Sequence, residues 1–237
     1  MSITRVVRWS GLAALVAGIC FAVVGLLHPL NEVASITTAR WTIVHLLAIA
    51  MSVFGLFGVM GLYARQAEKA GWLGLAGTFL MSLWLLLVLP FTVIEVFVLP
   101  QLATAAPTVA EAFLGVFTKT AGPIDFSALA TLWSLTDILF LIGGLVFGIA
   151  TLRAGVLSRW AACLFTAGMA LAPVFGLLPP AYRPLVAVPI GLGLAWLGFT
   201  LMAERRVPAG QPAGQPAAGP GSPRSMEQRP SQQSGNA

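Results

Sequence analysis

The sequence predicts an all-α, polytopic membrane protein of six transmembrane helices followed by a polar tail, and three observations carry this. Of 237 residues, 58% are hydrophobic and only 9% charged, against about 25% charge in a soluble domain, and the mean hydropathy is +0.90. Too few polar side chains remain to face water, so lipid must be the solvent for most of the chain. Six apolar runs reach the length a spanning helix needs, at about 9–28, 41–63, 72–100, 130–152, 158–178 and 184–203. Finally, Trp9, Trp41, Trp72, Trp133 and Trp160 fall at the ends of these runs, where indole rings prefer the membrane interface; Trp84 and Trp196 fall inside.

The net charge of +5 would suggest nucleic acid in a soluble protein. Here the basic residues flank apolar runs and read as topology signals, so no nucleic-acid partner is expected. With both termini cytoplasmic, the inner side holds Arg5, Arg8, Arg65, Lys69, Arg153, Arg159, Arg205, Arg206, Arg224 and Arg229. The outer side holds Arg40, Lys119 and Arg183. That asymmetry predicts an N-in, C-in protein of the cell membrane. Cys20 and Cys163 both lie mid-run, outside any metal or haem-attachment spacing, and read as packing residues.

Run one follows Arg5 and Arg8 but is longer than a signal-peptide core and lacks a following Ala-x-Ala site, so it reads as a retained span. Its Ala14, Gly18, Ala22 and Gly25 suit close helix packing. Runs two and three form a hairpin joined by the stretch 64–71, and Pro90 predicts a kink in run three. Between runs three and four, Thr108-Val-Ala-Glu111 has capping-box spacing. It is followed by Val109, Phe113, Val116 and Phe117 at helical intervals and a stop at Gly122-Pro123. This predicts a short amphipathic helix on the outer membrane surface, serving as a connector afloat on lipid or as a lid over an outward-facing site.

Runs four and five form a second hairpin that echoes the first. Trp41 and His45 match Trp133 and Asp137, Phe57-Gly58 matches Phe147-Gly148, and Arg65 with Trp72 matches Arg153 with Trp160. The expected relation is a parallel repeat of hairpins about an axis normal to the membrane. Beyond run six, 207–237 is rich in Pro, Gly, Gln, Ser and Ala and is expected to be a disordered cytoplasmic tail, leaving 1–206 as the transmembrane domain.

The polar residues inside the runs share one depth. His45 is four residues past Trp41, Asp137 four past Trp133, and Glu95 five before Pro100. At about 1.5 Å per residue, all three lie roughly 6–8 Å below the outer border. His28 and Arg183 lie at that border, with Arg40 close by. His45 shares a helix stripe with Ala48, Ser52 and Gly55, and Asp137 one with Gly144 and Gly148, so both are expected to point into the bundle.

Several chemistries fit these residue types. A structural network would pair Arg183 or His45 with Asp137 or Glu95 to set helix register. A proton- or solute-binding site of a small carrier would use His45, Glu95 and Asp137 as pocket walls, although no ionisable path leads on to the cytoplasm. A metal site could draw on His28, His45, Glu95 and Asp137, but no His-x-x-x-His spacing supports it. A membrane-embedded metal-dependent hydrolase lacks a nucleophile elbow, and bis-histidine haem ligation lacks a second histidine pair. No cofactor is therefore expected. The favoured reading is a membrane scaffold or partner subunit with a structural polar layer, in contact with the lipid bilayer and with a membrane protein partner or a second copy. The alternative is a carrier of small solutes or ions with an outward-facing pocket.

The stretch Phe147-Gly-Ile-Ala-Thr-Leu-Arg-Ala-Gly-Val-Leu-Ser-Arg-Trp160 resembles a turn found in many small uncharacterised multi-span membrane proteins of bacteria. There a glycine-rich helix ends in Arg-x-Gly-Val-Leu-x-Arg-Trp before the next span. The resemblance covers one helix end and one loop. It implies a bacterial inner-membrane protein and carries over no functional residue.

Overall fold

The computed structural model describes residues 3–120, 122 and 124–203; the tail at 207–237 lies outside the described residues. The described chain is all-α: α1 (Ile3–Leu27), α2 (Val33–Ile36), α3 (Ala39–Phe97), α4 (Leu99–Ala105), α5 (Pro107–Thr118), α6 (Ser127–Ala154), α7 (Arg159–Gly176), a 3-10 segment (Pro180–Val186) and α8 (Ala187–Ala203). Five of these helices, counting α8 with its 3-10 lead-in, are long and apolar enough to cross a membrane. Ile43, Phe57, Phe79, Leu86, Ile138 and Phe199 are all exposed, the outward apolar surface expected where the solvent is lipid. The chain is a multi-pass membrane protein.

A straight helix of the 59 residues of α3 would span roughly 90 Å, about three times the hydrocarbon core. Instead α3 doubles back at Gly71, whose φ of 54° and ψ of −145° are non-helical, a conformation that glycine adopts without a Cβ clash. The expected 64–71 loop is thus one residue long. Ala64 to Ala70 are mostly strong helix formers and extend the first arm up to the glycine. Pro90 lies within helical backbone, and the reversal of the chain falls at Gly71, inside the expected 64–71 connection.

The two arms of α3 join α1, α6, α7 and α8 in a ring in which every neighbour runs antiparallel, and small residues set the spacing. Along α1 and α8, Gly18 lies on Gly191 and Ala195, and Gly11 lies on Gly198 and Met202. A Cβ at any of these glycines would meet backbone of the facing helix. Gly58 of the first α3 arm lies on Ala14 of α1, Gly77 of the second arm on Phe147 of α6, Gly148 of α6 on Thr166 of α7, and Gly193 of α8 on Phe165 of α7. In lipid, where apolar side chains gain nothing by leaving one apolar medium for another, such close approach is what holds helices together.

The tryptophans sort by end. Trp9, Trp72 and Trp160 are strongly exposed at the end where α1 and α7 begin and α3 turns, as interfacial rings should be. Trp41, expected in the opposite belt, is fully buried, because its Nε1 finds a donor's partner inside the bundle at the Glu95 carbonyl, 2.8 Å away. Trp133 is half-buried in the interior. Of the cysteines, Cys20 is buried but Cys163 is exposed, so only Cys20 packs inside.

The connection between α3 and α6 is a cap on the bundle. Ile36 of α2, Leu99 of α4, Phe113 and Val116 of α5, and Trp41 and Phe91 of α3 form one buried apolar cluster. The α5 helix therefore docks on protein and does not float on lipid. Its capping box is not made: Pro107 already opens the helix, so Thr108 lies inside it and no side chain caps the end. The helix stops at Lys119, which takes a left-handed φ of 59°, ahead of the expected Gly122-Pro123.

Residues paired by the expected hairpin repeat match in part: Trp72 and Trp160 are both exposed, and Gly58 and Gly148 both pack on a neighbouring helix. Phe57 is exposed where Phe147 is fully buried. The last run opens with the 3-10 segment because Pro180 and Pro184 lack amide donors for an α ladder; α8 proper starts at Ala187.

Two outcomes follow from these contacts. Gly18→Leu would force the α1 and α8 backbones apart and is expected to cost at least about 1–3 kcal/mol, the usual cost of overpacking. Gly176→Ala, with nothing within 4 Å of the added carbon, should be neutral; thermal unfolding in detergent compares the two. At the start of α6, Asp125 Oδ1 accepts from the Ser127 amide at 2.8 Å, and that bond, with help from the Ser127 hydroxyl, holds the carboxyl below its ordinary value. A depressed folded value means this bond contributes fully above the unfolded value of about 3.9 and is lost as pH falls through the folded value. Asp125→Ala should therefore lower the Tm at neutral pH, with the gap to wild type closing on strong acidification.

Candidate functional site

The end of the ring opposite Trp9, Trp72 and Trp160 encloses a cavity of ≈ 310 Å³ to which α1, both arms of α3, α6 and the start of α8 contribute walls. This is near the small end of ligand-binding pockets, which run about 300–1,000 Å³. Four of the five polar residues singled out from sequence line it: His28, His45, Glu95 and Asp137.

His45 and Glu95 form its core. They sit on the two arms of α3, brought face to face by the fold at Gly71, with His45 Nε2 3.4 Å from Glu95 Oε1 and side chains 2% and 8% exposed. His45 Nδ1 is 2.8 Å from the Trp41 carbonyl. A carbonyl can only accept, so Nδ1 carries a hydrogen and Nε2 is the atom left to face the carboxylate. The contact has ion-pair distance, yet Nε2 makes no hydrogen bond of good geometry. A neutral Nε2 and a carboxylate oxygen both accept hydrogen bonds, and the contact between them supplies none of good geometry. The imidazole is further fixed by the Trp41 ring, with centroids 4.2 Å apart, and by the His28 ring at 5.4 Å.

His28 follows the last turn of α1 and turns its Nδ1 to the Pro29 carbonyl at 2.7 Å. Asp137 lies at the rim. Its Oδ2 is 3.1 Å from Lys119 Nζ, and the two side chains are 49% and 62% exposed, so it lies half out of the bundle while Gly144 and Gly148 of the same stripe pack against α7. Salt bridges this exposed contribute little, about 0–1 kcal/mol. Arg183 stands apart from the cavity on the 3-10 segment, exposed, with Nε donating to the Leu178 carbonyl at 2.9 Å. The expected network of Arg183 with Asp137 or Glu95 is therefore not formed; the pairs are His45–Glu95 and Asp137–Lys119.

Below the polar layer the cavity has an aromatic floor. Phe21, Trp84 and Phe140 meet one another, with Trp84 and Phe140 centroids 4.8 Å apart and Phe21 6.0 Å from each. Beneath them lies a void of ≈ 10 Å³ bounded by apolar side chains such as Met81, Phe165 and Met169. Phe117 of the cap and Trp133 of α6 close the upper wall, with ring centroids 4.7 Å apart. The floor bounds the cavity on the side away from the α5 cap, and Asp137 marks its open rim.

Sequence reasoning missed the floor, and it missed Asn31, Thr92 and Thr136, which also line the pocket. Their only sequence signals were an indole and hydroxyls inside apolar runs. It also placed Gln66 in a loop, whereas Gln66 is buried at the other end of the bundle and donates to Thr151 Oγ1 at 2.9 Å. Among the described residues no group of three or more His, Cys, Asp or Glu side chains is placed to hold a metal ion. The metal and hydrolase readings of His28, His45, Glu95 and Asp137 thus gain no support. No protein-family model, curated protein or solved structure matches this chain.

The Trp41 bond to Glu95 joins the arms of α3 at the level of the pocket. Trp41→Phe keeps the ring but leaves that buried carbonyl without its indole donor, and should destabilise the protein by about 1–3 kcal/mol in thermal unfolding.

Proposed function

We propose that this chain is a small-solute-binding membrane protein with six crossings, the two arms of α3 each counting as one, and that its ligand occupies the pocket at His45 and Glu95. The observation that carries the reading is the coexistence of a buried His45–Glu95 pair with an open volume beside it. A pair serving only to set helix register would be expected to pack closed, because an unpartnered polar atom beside a void costs stability. Here His45 Nε2 and Asn31 Oδ1 are buried without hydrogen-bond partners, and both residues line the pocket.

The basic residues flanking the Trp9, Trp72 and Trp160 end favour that end as cytoplasmic, so the pocket would lie in the outer leaflet. The likeness of the Phe147–Trp160 turn to bacterial multi-span proteins favours a bacterial inner membrane. The blind floor of Phe21, Trp84 and Phe140 favours binding, or carriage by a larger rearrangement, over a standing pore.

A second reading, a scaffold whose polar layer only fixes register, draws on the Trp41–Glu95 and His45–Glu95 links between the α3 arms. One substitution separates the two. Ala48 lines the pocket, so Ala48→Phe fills it. The binding reading expects native mass spectrometry to find a small-molecule adduct on gently extracted wild type and none on Ala48→Phe. An adduct-free wild type together with a more stable Ala48→Phe would favour the scaffold.

A further inference from the structure

The acceptors left unpartnered around the pocket indicate the chemistry of what fits. Several of the donors near them are already committed to backbone carbonyls. Trp41 Nε1 donates to Glu95 O, His45 Nδ1 to Trp41 O, His28 Nδ1 to Pro29 O, Thr92 Oγ1 to Leu89 O and Thr136 Oγ1 to Trp133 O, all at 2.7–2.8 Å. Among the groups left at the pocket are the acceptors Glu95 Oε1, His45 Nε2 and Asn31 Oδ1, the last two buried with no partner. A ligand that satisfies them must bring N–H or O–H donors, and beside a buried carboxylate it should bring positive charge. Under these acceptors lie the rings of Trp84, Phe140 and Phe21, which suit an apolar body, and an aromatic face attracts a cation placed over it.

Resting on the binding reading above, we infer that the pocket takes a small protonated amine with an apolar or aromatic body. Its ammonium N–H groups bond Glu95 and Asn31, and its body stacks on the Trp84–Phe140–Phe21 floor. A proton taken up at His45 Nε2 or at the Glu95 carboxylate occupies the same acceptors as the ammonium. Amine binding therefore weakens on acidification. The titratable and charged groups around this pair are His28 at the end of α1, His45 and Glu95 on the α3 arms, Asp137 on α6 with Lys119 beyond α5, and Arg40 outside, whose Nε is held by the Leu27 carbonyl. Where α8 begins, Val186 and Ala187 line the pocket. Of these groups, His45 and Glu95 form the buried contact.

The test uses full-length protein in nanodiscs and four probes with one body: 2-phenylethylamine, its N,N,N-trimethylammonium analogue, 2-phenylethanol and 3-phenylpropionate. Binding is read as quenching of tryptophan fluorescence and as a shift in Tm. The amine should bind tighter than the trimethylammonium and the alcohol by about tenfold, the cost of leaving one buried acceptor unmet, and the carboxylate should bind weakest. Amine affinity should fall with falling pH, and Glu95→Gln should remove both the preference and the pH dependence while retaining weak alcohol binding. Because the probe ranking is measured on wild type, a poorly folded variant does not blunt the test.

Equal binding of all four probes would overturn the amine assignment and leave an apolar binding pocket. A trimethylammonium probe as tight as the amine would overturn the role of the N–H donors, and a preference for the carboxylate would overturn the charge. If none of the four binds, the inference fails. The mass adduct then decides whether the binding reading falls with it: an adduct lost in Ala48→Phe keeps that reading, and no adduct ends it.

Discussion

Backbone-to-backbone contact at small residues is the constraint on which this structure depends. In lipid, helices cannot be driven together by hiding apolar surface from water, so they associate where their surfaces approach most closely. The seam of Gly11, Gly18, Gly191 and Gly198 brings the first and last described spanning helices together and closes the ring. Gly58, Gly77, Gly148 and Gly193 repeat the device at the other neighbours. The large side chains these glycines exclude face outward as lipid-facing surface, or inward as the plug of Met81, Phe165 and Met169.

The pocket exists because that close packing ends below one end of the ring. Above the Phe21–Trp84–Phe140 floor the interior is lined by His45, Glu95, Thr92 and Thr136, and short connections with the docked α5 roof it over. A membrane interior requires polar groups to find partners within the protein. Here several side-chain donors turn back to carbonyls of the local helix or of the adjoining arm, while some acceptors are left without a partner. The polar layer is thus structural and chemical at once. Trp41 and His45 fix the α3 arms, and the same fixing leaves Nε2 and the Glu95 carboxylate side by side at the edge of a volume large enough for a small molecule.

Much of this was legible in one dimension. Charge scarcity and the apolar runs determined the all-α, membrane-embedded class, because composition alone decides whether a surface can face water. Residue counting within helices placed His45, Glu95 and Asp137 at one depth, since helical rise converts position to height without knowledge of neighbours. The stripe through His45, Ala48, Ser52 and Gly55 was legible for the same reason, and all four are buried.

Pairing and roles came only from the tertiary structure. Whether Trp41 lies at an interface or in a core depends on a carbonyl 54 residues away, and no local pattern encodes that distance. Asp137 was read as facing inward by its glycine stripe, yet Lys119, in a cap whose docking sequence patterning left open, draws it to the rim. Arg183 shares the expected depth but not the pocket, because Pro180 and Pro184 wind its segment into an exposed 3-10 turn. Sequence by itself determined the solvent, the helices and the height of each polar group. The azimuth of each group, and hence which acceptors meet across the pocket, was decided by how the ring packs, because helix rotation is set by contacts between chain segments far apart in sequence.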